Sequence, residues 1–161
     1  TAQLVLGDAL AVALLEMRKF TSTDFAKYHP GGSLGKKLYL RVEDIVHREK
    51  PQVMMSSSLQ DVIIDISSNR LGATVVVEAG EIEGLITDGD LRRMLQKGVN
   101  LNEVSASDIM SKKPKCIRKD ALAAEALGIM EVNNITQLIV AENGVYIGVI
   151  HLHDILKEGI L

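Results

Sequence analysis

The chain of 161 residues has no tryptophan, two phenylalanines, three tyrosines, three prolines and a single cysteine, Cys116. One cysteine cannot close an internal disulfide, so a reducing cytoplasm is its natural setting, and its place in an expected strand suits a small core residue. Few aromatics and a formal net charge of −3 leave neither base-stacking platforms nor a basic face, so a nucleic-acid partner is not expected. The apolar stretch at residues 4–17 is too short and interrupted to span a bilayer, which takes about 20 apolar residues. It also lacks the flanks of a signal peptide, so no membrane partner is expected. A stretch apolar on nearly every side instead expects burial within a larger domain.

What the chain does have is a sentence written twice. Gly84-Leu85-Ile86-Thr87-Asp88-Gly89-Asp90-Leu91 returns as Gly148-Val149-Ile150-His151-Leu152-His153-Asp154-Ile155, offset by 64 positions. The same offset carries Asp44-Ile45-Val46 onto Asp108-Ile109-Met110, Asn69-Arg70 onto Asn133-Asn134, and Glu78-Ala79-Gly80 onto Glu142-Asn143-Gly144. Anchors that recur at one spacing mark two copies of a single unit. In the first copy, residues 52–55 read as a strand and Ser58-x-x-Asp61 as a capping box. Leu59, Val62, Ile63 and Ile66 then recur at helical spacing. Residues 73–77 and 82–86 read as a hairpin and residues 90–95 as a closing helix. The second copy repeats the order at 115–117, 122–132, 137–141, 146–150 and 154–157, with an Asn143-Gly144 hairpin turn. A unit of some 55 residues is marginal alone, so the two are expected to pack together around a shared cleft.

This order, with Gly84-x-x-Thr87-x-x-Asp90 closing the first repeat, resembles a CBS domain pair. The resemblance implies an α+β fold of tandem βαββα repeats related by a pseudo-twofold axis. It also implies an adenosine nucleotide or related ligand, with Asp90 on ribose hydroxyls and Thr87 on the phosphate side. A carboxylate accepts two hydroxyl donors, and a helix N-terminus favours phosphate. The bland reading of the same pair, a capping box at a strand–helix junction, is compatible with this. In the second repeat Asp154 is kept, but His151 replaces threonine, which caps a helix better. His151 therefore reads as a structural residue or a neighbour of an anionic ligand group. His151-x-His153 beside Asp154 lacks a third placed ligand, and no metal is expected. Lys112, Lys113, Lys115, Arg118 and Lys119 read as a solvated face or as a phosphate clamp joined by Arg92 and Arg93. His47 is expected at the surface or an interface.

Ahead of the repeats, Gly7-Asp8-Ala9-Leu10-Ala11-Val12-Ala13-Leu14-Leu15-Glu16, Asp24-Phe25-Ala26 and His29-Pro30-Gly31-Gly32-Ser33-Leu34-Gly35-Lys36 are similar to the arabinose-5-phosphate isomerases. In those enzymes a sugar-isomerase (SIS) domain precedes a CBS pair. On composition alone the glycine-rich part would be a flexible linker. The resemblance divides the chain into an isomerase-domain remnant (1–28), a linker (29–41) and two CBS repeats (42–100 and 101–161). It implies a parent that interconverts D-ribulose 5-phosphate and D-arabinose 5-phosphate for the synthesis of Kdo and lipopolysaccharide. His29 would be a catalytic contributor in that parent, while the chain alone would be an inactive C-terminal piece. No cofactor is required; the candidate regulatory ligands are AMP, ATP and CMP-Kdo. Dimerising pairs in a tetrameric parent are the expected assembly. A ligand-free oligomerisation module, or His29 acting in a neighbouring subunit's site, are the other readings.

Overall fold

The computed structural model describes residues 1–29, 31–47, 49–96 and 101–160, with only the backbone of Asn102. Pro30 of the glycine-rich motif and the expected end of the first repeat at residue 100 lie outside the described residues. Four helices come first: α1 (Ala2–Met17), α2 (Ser22–Tyr28), α3 (Ser33–Tyr39) and the single turn α4 (Val42–Ile45). Then follow β1 (Gln52–Val53), α5 (Leu59–Asn69), β2 (Ala73–Glu78), β3 (Glu81–Thr87) and α6 (Asp88–Leu95). The second copy runs α7 (Ala106–Ile109), β4 (Ser111–Lys112), β5 (Cys116–Ile117), α8 (Ala123–Asn133), β6 (Gln137–Glu142), β7 (Val145–His151) and α9 (Leu152–Lys157).

Local chemistry sets most of these boundaries. Ser58 caps α5 by accepting the Asp61 amide at 3.2 Å while Asp61 returns a carboxylate to Ser58. Arg70 and Asn134 end α5 and α8 in the left-handed conformation, where a helix terminates readily. Both hairpins turn on a pair with positive φ, Ala79-Gly80 and Asn143-Gly144, as tight two-residue turns require. Each hairpin also shifts register at the same place, after Val76 and after Val140. The described strands form one sheet ordered β1-β2-β3-β7-β6-β5, with β4 added against β3. The two halves meet where Glu81 pairs with Val145, positions one repeat offset apart, so the pseudo-twofold axis passes between them.

The cores do not divide where the sequence repeats do. Val42 of α4 is fully buried against Ile117, Met130, Leu138 and Ile155, which belong to the second copy. Ala106, Ile109 and Met110, at the start of the second copy, are buried against Val62, Ile66, Val76 and Ile86 of the first. Each repeat thus lends its opening turn to the other. The exchange is completed by paired bridges, Arg41 to Leu122 and Ser58 to Ser105. A third cluster of Leu71, Val75, Ile139, Tyr146 and Val149 joins the two hairpins.

One expectation changes. Cys116 is exposed, because strand alternation turns the neighbouring Ile117 inward instead. In this chain α1 is exposed along its whole length, with Leu4, Leu6, Leu10 and Met17 all more than 60% accessible.

Candidate functional site

The glycine that opens each repeat signature decides what meets the aspartate at its end. A Cβ on Gly84 would lie 2.7 Å from Met110 Sδ, and one on Gly148 would lie 2.9 Å from the His47 carbonyl oxygen and Val46 Cγ2. Only glycine lets the exchanged segment of the other repeat cross so close to the strand. That crossing brings Ser111 to Asp90 and His47 to Asp154, one offset apart. Neither partner is visible from local sequence. Carrying the 64-residue offset through every position would have paired them.

At the first junction Thr87 caps α6. Its amide and hydroxyl donate to Asp90 Oδ2 at 2.9 and 2.6 Å, and the Asp90 amide donates back to the hydroxyl at 3.3 Å. The other oxygen, Oδ1, accepts from Arg93 at 2.7 Å and from the Ser111 hydroxyl at 3.3 Å. Asp90 is buried, which by itself would raise its carboxyl. The bonds from Thr87 and the adjoining Arg93 guanidinium together outweigh burial and hold it below the ordinary carboxylate range. A cavity of about 560 Å³ opens beside it, lined by Thr87, Asp90, Arg93, Lys112, Lys113 and Lys115 among others. Arg92, also expected here, lines neither this cavity nor its counterpart. Arg118 and Lys119 are engaged elsewhere, by Asp120 and Glu142.

The second junction is built differently on the same frame. Asp154 Oδ2 accepts from His47 Nε2 at 2.7 Å and from the His151 amide at 3.2 Å, while Lys157 approaches Oδ1 at 3.5 Å. Burial again pushes the carboxyl up, and the His47 bond and charge, the His151 amide and Lys157 more than reverse it. His151 does cap α9: its Nδ1 accepts the His153 amide at 3.1 Å. That nitrogen must be unprotonated to accept. Burial and the neighbouring His153 lower the ring's pKa and favour this neutral form. The rings of His151 and His153 stack at 4.9 Å. His47, Arg70, His151, His153, Asp154 and Lys157 line a cavity of about 590 Å³.

The carboxylates therefore flank two hollows. Gly72, Asp88 and Gln137 form the wall common to both. Each is of ordinary small-molecule size. His29 is not brought to either: it ends α2, exposed, with its ring 4.8 Å from that of Phe25. Among the described residues no three His, Cys, Asp or Glu side chains converge as a metal site. Nor is any helix among them long and apolar enough to cross a membrane.

Residues 42–97 and 106–160 each match the CBS domain, and together they make up well over half of the chain. The chain belongs to the CBS domain family. The chain is similar to arabinose 5-phosphate isomerase KdsD of Escherichia coli strain K12, with 46% identity over 164 aligned residues. That match takes in the whole of this chain and 50% of the relative, so the chain spans about half the length of the curated relatives it matches. Among solved structures, CBSX2 in complex with AMP superposes with a TM-score of 0.64 at 18% identity, over 75% of this chain and 96% of that one. The CBS domain pair of protein MJ0100, in complex with 5′-methylthioadenosine and S-adenosyl-L-methionine, does so with a TM-score of 0.66 at 18% identity, over 73% and 93%. At these identities the solved structures speak for the fold.

Proposed function

We propose that this CBS pair is the regulatory module of an arabinose-5-phosphate isomerase and holds a nucleotide or nucleotide sugar in the cavities beside Asp90 and Asp154. One observation carries the reading. A carboxylate able to accept the two hydroxyls of a ribose stands at the end of each repeat, and the first of them opens onto a cavity rimmed by Lys112, Lys113 and Lys115. Those three lysines and Arg93 suit the phosphates of AMP or ATP, or the phosphate and carboxylate of CMP-Kdo. The complexes of CBSX2 with AMP and of MJ0100 with adenosyl ligands favour the same ligand class. The match to KdsD over the whole chain supports a parent that interconverts D-ribulose 5-phosphate and D-arabinose 5-phosphate in a cytoplasmic pathway to Kdo. In this reading residues 1–28 belong to the isomerase domain, 29–41 are its linker, and His29 serves the parent's active site. Calorimetry with AMP, ATP and CMP-Kdo tests the sites. Binding should weaken at least tenfold in Asp90→Ala or Asp154→Ala, and unchanged affinity in both variants overturns the proposal.

The ligand-free alternative, a module that only holds isomerase subunits together, draws on α1. An apolar helix exposed from end to end is a surface that seeks a partner. It predicts that sedimentation of the full-length parent shows loss of the tetramer when the pair is deleted, with no heat from any of the three ligands.

A further inference from the structure

The two cavities share a frame but differ in how each aspartate is occupied. In the first, Asp90 Oδ1 is held by Arg93, whose side chain is 68% exposed, and by the Ser111 hydroxyl at a long 3.3 Å. Both can turn aside without moving the backbone, so a ribose diol can take that oxygen. In the second, the position of Ser111 is filled by His47, whose Nε2 stands 2.7 Å from Asp154 Oδ2. Lys157 covers Oδ1. The His47 backbone is pinned as well: its amide donates to the Val149 carbonyl at 3.3 Å, and its own carbonyl lies over Gly148.

We propose that the half-sites are unequal: a nucleoside phosphate fills the lysine-rimmed cavity at Asp90 first, while the Asp154 cavity is closed by His47, a built-in occupant that a ligand must displace. This rests on the reading of both cavities as nucleotide sites. Three further differences point the same way. Lys115, on the rim of the first cavity, has Pro51 as its counterpart in the other repeat, so the second cavity loses a phosphate contact. Where Thr87 presents a small hydroxyl, His151 presents a ring stacked on His153. Among the described residues, Arg93 and three lysines line the first cavity, whereas the second is lined by Arg70 and Lys157. His47 is therefore a gating residue: it touches the carboxylate that the ligand needs and competes for it.

Titration calorimetry of this chain with AMP, at one pH, reads the difference. The wild type should bind a first AMP at least tenfold more tightly than a second. His47→Ala should strengthen the second event roughly tenfold or more, the size of one lost charge-assisted hydrogen bond, and leave the first unchanged. Asp90→Ala should remove the first event and Asp154→Ala the second. In the wild type, the NMR signals of the His47 ring should stay in place through the first equivalent of AMP and move during the second; this readout needs no variant. Two equal events in the wild type, or His47→Ala binding as the wild type does while Asp154→Ala loses the second event, overturn the gate and leave the half-sites standing. AMP binding unaffected by both aspartate substitutions, or absent from wild type and His47→Ala alike, overturns the half-sites and the gate together.

Discussion

The hydroxyl of Thr74 is buried without a hydrogen-bond partner, in the strand that faces the first core. One offset away the same place is filled by Leu138, fully buried and apolar. A buried polar atom left unpaired costs free energy that an isosteric methyl does not. Thr74→Val should therefore stabilise the chain by about 1 kcal/mol, seen as a higher urea midpoint at unchanged slope. His151 gives the other prediction at this scale. Its folded pKa is lowered from 6.5, so folding favours the neutral ring, and only the neutral ring can accept the His153 amide. The unfolded chain then binds the proton more readily. The contribution is complete above the ordinary value and is lost as pH falls through the lowered one. Thermal unfolding followed from pH 7.5 down to 5 should show a steeper loss in the wild type than in His151→Thr, which restores the cap found at Thr87. Parallel curves would show that the cap does not titrate.

The two hairpins are a matched experiment on turn chemistry. Both place their first turn residue at a φ near +50°, Asn143 in one and Ala79 in the other. Asparagine tolerates the left-handed region and alanine does not. Ala79→Asn should stabilise by roughly 0.5–1 kcal/mol, measured by chemical denaturation, and the cavities lie too far along the strands to be involved. In the middle of the strands the glycines answer to packing instead. A methyl on Gly148 would meet the His47 carbonyl and Val46 at 2.9 Å, and a backbone atom cannot rotate away. Gly148→Ala is expected to cost about 1–3 kcal/mol and to displace His47 from Asp154, visible as a shift of the His47 ring signals.

Over the whole molecule, stability depends on the exchange of opening turns. Val42 sits in the sequence of the first repeat but in the core of the second. Val42→Ala should lower stability by roughly 2 kcal/mol. Hydrogen exchange should show the amides of α8 and α9 losing protection ahead of those of α5. The reverse order would mean that the repeats fold independently of the exchange. Lys36 adds a further link, bonding Glu158 just beyond α9 at 2.9 Å, so the α2–α3 hairpin that carries His29 is tied to the second repeat.

The repeat, the order of its elements and most of their ends were legible in the sequence because they rest on local chemistry. A 64-residue offset, apolar spacing at two or three to four residues, Ser58 with Asp61 and Asn143 with Gly144 each act within a few positions. The signature aspartates were legible for the same reason: Thr87 and Asp90 cap a helix whatever lies around them. Three things were not. The opening turns trade places, Asp154 is met by His47, and Gly72, Asp88 and Gln137 line the hollows beside both aspartates. The His47–Asp154 contact spans 107 positions and the Gln137–Leu71 bond 66, and nothing near His47 in the chain names its partner. Burial decides them, because Val42 and Ala106 reach zero exposure only in the opposite core, and that packing carries the rest of the site into place.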